Sequence, residues 1–143
     1  MKNENINACR RSSCAISMAL DAIGDKWSLL ILRDLMFTGK RSYGEFQASA
    51  EGIATNILAT RLQTMEAEGI ITKETDPDNK RKVLYHLTEK GIALLPVVME
   101  LMHWSSQYLP AAESCNKKLR PYVRNRNTVI EELTARLREE HLD

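Results

Sequence analysis

Apolar residues recur at helical spacing through the first seventy positions of the chain, which predicts a mainly α-helical fold at this end. A first helix is expected to follow a Ser12-Ser13 cap and to end at Gly24. A second helix begins at residue 25 or 26, and the turn-forming pair Thr38-Gly39 marks its end.

Two further helices are predicted before the pattern changes. The shorter one covers residues 42–48, because Ser42 followed three residues later by Glu45 forms a capping-box pattern. The longer one runs from about residue 54 to residue 68, and Gly69 closes it. The chain thus contains a short helix directly followed by a longer one.

A small β-hairpin is predicted next, with strands over residues 70–74 and 83–87. The segment between them, residues 75–82, is expected to be a turn-forming and then basic loop. Thr88 opens a further helical pattern that continues to Trp104. Pro96 lies inside this pattern, so a break or kink there is expected to give two helical pieces.

The sequence becomes less regular after Pro110. Residues 116–127 hold five basic residues and no acidic one, so this stretch either touches flanking DNA or forms a solvated basic linker, and the linker is favoured. A last amphipathic helix is predicted over residues 128–141, with Glu132 and Arg136 at a supporting i,i+4 spacing. Its apolar face carries Ile130, Leu133 and Leu137.

Three consecutive helices followed directly by a hairpin indicate a winged helix-turn-helix. In this arrangement the helix over residues 54–68 enters the DNA major groove. The inward stripe of this helix consists of Leu58, Leu62 and Met65. The opposite face is small, polar and free of acid, and carries Thr55, Asn56, Ala59, Thr60 and Gln63. Asn and Gln can pair with adenine, and Ala or Thr methyl groups can touch thymine. The alternative is the solvated face of an ordinary amphipathic helix.

Basic residues near this helix are candidates for phosphate contacts. Lys80, Arg81 and Lys82 are expected at the hairpin tip, where they form a wing or a merely solvated turn. Lys40, Arg41, Ser42 and Tyr43 precede or begin the short helix and are predicted to contact the DNA backbone. Arg61 either reaches phosphate or pairs internally with Glu45 or Glu66, and the internal role is favoured.

Four segments resemble the HxlR-type transcriptional regulators in the order of that family. They are Leu20 to Leu35 (LDAIGDKWSLLILRDL), Tyr43 to Phe46 (YGEF), Gly52 to Leu62 (GIATNILATRL) and Tyr85 to Gly91 (YHLTEKG). The resemblance covers residues 14–108. It implies a bacterial-type homodimeric winged-helix regulator, distantly similar to the MarR group, that binds double-stranded DNA. Residues 1–13 are expected to form an N-terminal tail, and residues 109–143 a basic linker and a C-terminal amphipathic helix, about which the resemblance says little.

Dimerisation is also expected on physical grounds, because one recognition helix reads only a few base pairs and a pseudo-palindromic operator needs two. The helices over residues 14–24 and 97–108 carry more apolar residues than a small core can cover. Extra N- and C-terminal dimerisation helices would bury them. The alternative is that both helices fold back onto their own domain.

Cys14 is the candidate redox-sensing residue, because a helix start and the neighbouring Arg10 and Arg11 both favour the thiolate. The HxlR resemblance adds that several members sense oxidants, quinones or aldehydes through a cysteine before the first helix. The alternatives are an inert cysteine, control by a small-molecule effector in a pocket between dimer helices, or control by abundance.

No other chemistry is predicted from the pattern. Three unevenly spaced cysteines do not form a disulfide framework, and the scattered histidines predict no metal site or cofactor. The sequence contains no Gly-rich phosphate loop and no nucleophile motif, so it does not predict an enzyme. The competing non-enzymatic interpretation is a winged-helix protein-interaction module that binds no DNA.

Composition narrows the class without deciding the partner. The chain has 143 residues, 43% of them hydrophobic and 27% charged, with a formal net charge of +1. Bulk charge therefore neither favours nor excludes nucleic acid. The apolar runs are too short to cross a membrane, and the first residues do not form a signal peptide. A cytoplasmic protein is expected.

Overall fold

The computed structural model describes residues 12–109 and 116–143 as two compact units, one ending at His86 and the other beginning at Leu87. The first unit contains four helices, α1 (Ala15–Ile23), α2 (Lys26–Phe37), α3 (Tyr43–Gln47) and α4 (Thr55–Ala67). Strand β1 (Ile71–Asp76) pairs with β2 (Asn79–Leu87) in a two-stranded sheet. This confirms the predicted fold class of a mainly helical chain with a small hairpin.

The helix boundaries follow local capping chemistry. Asp25 caps α2 by accepting the N–H of Ser28, and Ser42 caps α3 by accepting the N–H of Glu45. Helix α4 ends where Gly69 adopts a φ of 73°, in the left-handed region that glycine occupies without steric cost. These three boundaries agree with the sequence predictions.

The first cap differs from the prediction. Cys14, and not the Ser12-Ser13 pair, is the N-cap of α1, and its side chain makes no capping hydrogen bond. The Ser12 hydroxyl accepts the N–H of Cys14 at 3.2 Å, so it satisfies a donor before the helix begins.

The hairpin is longer than predicted. Only Pro77 and Asp78 form the turn, and β2 already begins at Asn79. The residues predicted to lie in a basic loop, Lys80, Arg81 and Lys82, are therefore part of strand β2. A two-residue turn leaves them opposite β1, so strand pairing and not loop closure sets their spacing.

The core of the first unit lies between the helices and the base of the hairpin. Helix α4 contacts α1, α2, α3 and β1. The fully or almost fully buried apolar side chains are Ile31, Leu32, Leu35, Met36, Phe46, Leu58, Leu62, Met65, Ile70 and Ile71. The buried stripe of α4 is the one predicted from sequence, so its other face points away from this core.

The second unit contains α5 (Glu89–Ile92), α6 (Leu95–Tyr108), α7 (Asn116–Arg124) and α8 (Arg126–Leu142). Pro96 stands in the first turn of α6, where its missing N–H costs nothing, and this confirms the predicted break into two pieces. Among the described residues, no helix is both long and apolar enough to span a membrane.

The predicted basic linker over residues 116–127 is wrong. Most of it forms α7, which buries Leu119 and Tyr122, and Asn125 then caps α8. Helix α8 begins two residues earlier than expected and buries Leu137. Its i,i+4 ion pair joins Arg136 to Glu140, and not to the predicted Glu132.

Candidate nucleic-acid interface

The solvent-facing side of α4 is polar and uncharged along most of its length. Thr55, Asn56, Thr60 and Gln63 are exposed, and Ala59 is half-buried. The Thr60 hydroxyl donates to the backbone carbonyl of Asn56 at 2.8 Å, so it is satisfied within the helix. The amides of Asn56 and Gln63 make no hydrogen bond to any described residue. This face therefore offers amide donors and acceptors beside small side chains.

The start of α4 is held by α3. The Tyr43 hydroxyl donates to the carbonyl of Thr55 at 2.9 Å. Ala54 occupies the N-cap and has no side-chain acceptor, and the first turn contains no acid. The backbone N–H groups of that turn consequently lack a side-chain cap, an arrangement that suits an anion.

The side chains predicted to contact DNA at the start of α3 are engaged within the protein. Ser42 is buried, and its hydroxyl donates to the Glu45 carboxylate at 2.9 Å. The Arg41 guanidinium donates to the carbonyls of Leu35 and Lys40, at 3.1 and 3.0 Å. These contacts fix the entry to α3.

Strand β2 is anchored at the same place. Leu84 pairs with Ser42 in an isolated antiparallel bridge, and the N–H of Tyr85 donates to the Arg41 carbonyl at 2.7 Å. Lys80 and Arg81 are exposed, and their side chains make no bond to any described residue. Lys82 lies 3.7 Å from the Glu45 carboxylate. Two of the three wing cations are thus available to an external anion.

Arg61 has a different partner from those considered in the sequence analysis. Its Nη1 lies 3.6 Å from Oδ2 of Asp25, the N-cap residue of α2. Glu66 is 3.5 Å from Lys73 instead. The sequence favours an internal role for Arg61, and the structure places this side chain between α4 and the start of α2.

Cys14 is exposed at the N-terminus of α1. The nearby backbone N–H groups of Ser17 and Ile16 lower the pKa of its thiol below the usual value. Arg10 and Arg11, the other basis for a thiolate, lie outside the described residues, as do Cys9 and Cys115. Within the described residues, no cluster of three or more His, Cys, Asp or Glu side chains is arranged to hold a metal ion.

A charged cluster that joins α2 to the turn before α4 was not predicted from the sequence. Arg33 donates to both carboxylate oxygens of Glu51 at 2.8 Å and also binds Asp34. Asp34 is buried, and Glu51 lies in the turn between α3 and α4. The available signal was the pair Arg33-Asp34 inside an otherwise apolar helix, because buried charges are normally paired.

The sequence profile described as HxlR-like helix-turn-helix matches residues 22–113. This chain belongs to the HxlR-like helix-turn-helix family. An HTH-type transcriptional regulator of Synechocystis, sll1512, is 33% identical over 121 residues, which cover 83% of this chain and 88% of the relative. Such proteins are transcriptional regulators and not enzymes.

Solved structures show the same fold. The redox regulator HypR in its reduced form has a TM-score of 0.61 and 32% identity, over 71% of this chain and 99% of HypR. A MarR-family transcriptional regulator of Porphyromonas gingivalis has a TM-score of 0.58 and 27% identity, over 68% of this chain and 95% of that one. The HxlR-like chain is therefore a helix-turn-helix transcriptional regulator with MarR-like structural neighbours.

Proposed function

We propose that this HxlR-like regulator is a homodimer that binds a pseudo-palindromic DNA operator with sequence specificity. Each protomer inserts α4 into the major groove and lays strand β2 on the adjacent backbone. The observation that carries the proposal is the exposed, acid-free face of α4, whose two amides have no partner among the described residues. Major-groove base edges supply the donors and acceptors that such amides need.

The residues of α4 have distinct roles in this proposal. Asn56 and Gln63 read base edges through their amides, with adenine as the favoured partner. Thr55, Ala59 and Thr60 have small side chains, so the helix can approach the bases closely. Their methyl groups can contact the methyl group of thymine. The uncapped first turn of α4 faces a phosphate, because its backbone N–H groups and helix dipole favour an anion.

The surrounding cations divide into contacting and positioning residues. Lys80 and Arg81 contact phosphate directly, since both are exposed and free of described partners. Lys82 and Arg61 stand beside Glu45 and Asp25 and are shared between those carboxylates and the backbone of the DNA. Arg41, Ser42 and Tyr43 act mainly by holding the starts of α3 and α4.

A second copy of the chain is the proposed cover for two apolar faces. Ile16 and Leu20 are 73% and 52% exposed on α1. Helix α6 exposes a stripe at the spacing i, i+4, i+7, i+11, formed by Val97, Leu101, Trp104 and Tyr108. Exposed apolar stripes of this kind typically mark a protein interface, and a two-fold dimer also supplies two recognition helices.

We further propose a thiol switch at Cys14. The thiol is exposed with a lowered pKa, and the related HypR is a redox regulator. In the simplest reaction the Cys14 thiols of two protomers form a disulfide, and an oxidant such as a diazene accepts the two electrons and the two thiol protons. The alternative effector is a small ligand in a pocket between the dimer helices.

The proposal is tested by selecting bound sequences from random duplex DNA with reduced and with diamide-treated protein. An enriched inverted repeat is expected, and its recovery should change on oxidation if the thiol version holds. Equal recovery in both states would redirect the search to small ligands. No enriched sequence under either condition would favour a protein-interaction module. As a DNA-binding regulator, the protein is expected to act in the cytoplasm.

A further inference from the structure

Helix α7 has one apolar face and one basic face. Leu119 and Tyr122 are buried, whereas Lys117, Arg120 and Arg124 are exposed. The three cations are spaced i, i+3 and i+7, which places them on one side of the helix, opposite the buried pair. The basic residues are therefore gathered on one surface.

The basic face of α7, defined by Lys117, Arg120 and Arg124, has no counterion among the described residues. None of the three side chains makes an ion pair or hydrogen bond within that part of the chain. Neighbouring cations of the same unit are paired, because Arg126 binds Glu100 at 2.8 Å and Arg138 binds Glu89 at 2.9 Å. Since residues 116–127 contain no acid, α7 itself cannot neutralise its charge.

The helix is fixed in place within its unit. The buried Tyr122 hydroxyl donates to Glu100 on α6 at 2.5 Å, and the Arg126 guanidinium lies over the Tyr122 ring. Helix α7 also packs against α8. Its cations are therefore presented by an ordered element, which reduces the conformational entropy lost when they bind a repeating anion.

We propose that the basic face of α7 contacts backbone phosphates of the DNA duplex. This inference rests on the proposed DNA-binding function and adds a contact surface outside residues 22–113, the part that matches the family profile. Duplex DNA supplies closely spaced negative charges, which complement three cations on one helix face. Because phosphate contacts carry no direct base information, this surface should raise affinity and leave sequence preference unchanged.

The test compares Lys117→Gln/Arg120→Gln/Arg124→Gln with wild type in the full chain. Dissociation constants are measured over a series of salt concentrations, on the selected operator extended at both ends. Removal of each phosphate-binding cation should lower the slope of log affinity against log salt by roughly 0.9. The slope for the triple variant is thus expected to fall by roughly 2.7 per protomer, with an unchanged ranking of operator sequences.

Lys118→Gln is the matched control, because Lys118 is exposed on the same helix but lies away from the basic face. It should change the slope far less than Arg124→Gln, which removes the same charge. Circular dichroism checks that each variant keeps its helix content. If the wild type is sequence-selective but the triple variant keeps the same salt slope, this inference is overturned and the proposed function is not. A wild type without affinity for duplex DNA overturns the proposed function and this inference together.

Discussion

The Ser49 hydroxyl donates a hydrogen bond of 2.6 Å to Oδ2 of Asp34, a carboxylate that is only 2% exposed. Asp34 belongs to α2, and Ser49 lies in the turn that separates α3 from α4. The Lys40 ammonium donates to the same Ser49 hydroxyl at 2.6 Å. A buried carboxylate thus connects the second helix to the turn that precedes α4.

Asp34→Ala is expected to destabilise the fold by about 3 kcal/mol, because it leaves cationic partners without their buried counterion. Urea unfolding measures the loss. Ser49→Ala should cost less, about 1.5 kcal/mol, since Arg33 still satisfies the carboxylate. If Asp34→Ala unfolds at the same urea concentration as wild type, the cluster does not hold the turn.

The Arg33–Glu51 pair predicts a specific acid sensitivity. The hydrogen bond from Arg33 holds the pKa of Glu51 at about 2, below its usual 4.5. Its contribution to folding is complete above about pH 5 and is lost as the pH falls from 4.5 towards 2, because the unfolded chain takes up the proton first. The Glu51 side chain is 37% exposed, so we expect less than about 1 kcal/mol after solvent screening.

Glu51→Gln provides the comparison for this pH dependence. The stability difference between wild type and variant should be constant near neutral pH and should shrink in acid. A difference that stays the same from pH 6 down to about pH 2 would contradict the assigned pKa.

The helices of the first unit could be predicted because their ends carry strong local signals. Ser42 and Glu45 form the cap of α3, and Gly69 adopts the left-handed conformation after α4. The buried stripe of α4 also follows from its spacing alone. Local chemistry and tertiary packing agree at these positions, so sequence patterns were sufficient.

The features that sequence patterns did not predict depend on neighbours distant in the chain. Helix α7 contains Pro121 and few apolar residues, and its order comes from burying Leu119 and Tyr122. Arg61 meets Asp25 because α4 packs beside α2, and no local spacing encodes that pair. Tertiary packing, and not local propensity, therefore decides the structure at these positions.

Asn56→Ala should relax sequence preference at one base pair of each half-site, since an amide paired with a base contributes about 1–3 kcal/mol of discrimination. Binding competition among single-base operator variants measures this change. Gln47→Ala is the control, because it removes an exposed amide from α3 and not from the proposed recognition face. Equal discrimination by Asn56→Ala and wild type would show that Asn56 does not read a base edge.

Lys80→Gln/Arg81→Gln should weaken binding to all sequences alike, because both residues are proposed to contact phosphate. The salt slope should fall by roughly 0.9 for each of the two cations removed, as measured by titrations at several salt concentrations. Lys82→Gln should have a smaller effect, since Lys82 already lies 3.7 Å from Glu45. A double variant that retains the full slope would show that the wing does not touch the backbone.

Cys14→Ser should bind the operator like the reduced wild type and should no longer respond to diamide. Serine has nearly the size of the exposed N-cap side chain but cannot form a disulfide, so the redox chemistry is removed. Operator release after oxidation is the readout, and non-reducing electrophoresis detects the cross-linked dimer. Cys9→Ser/Cys115→Ser is the matched control and should keep the response. If Cys14→Ser responds to diamide as wild type does, the switch does not reside at the start of α1, and Cys9 or Cys115 becomes the thiol to test.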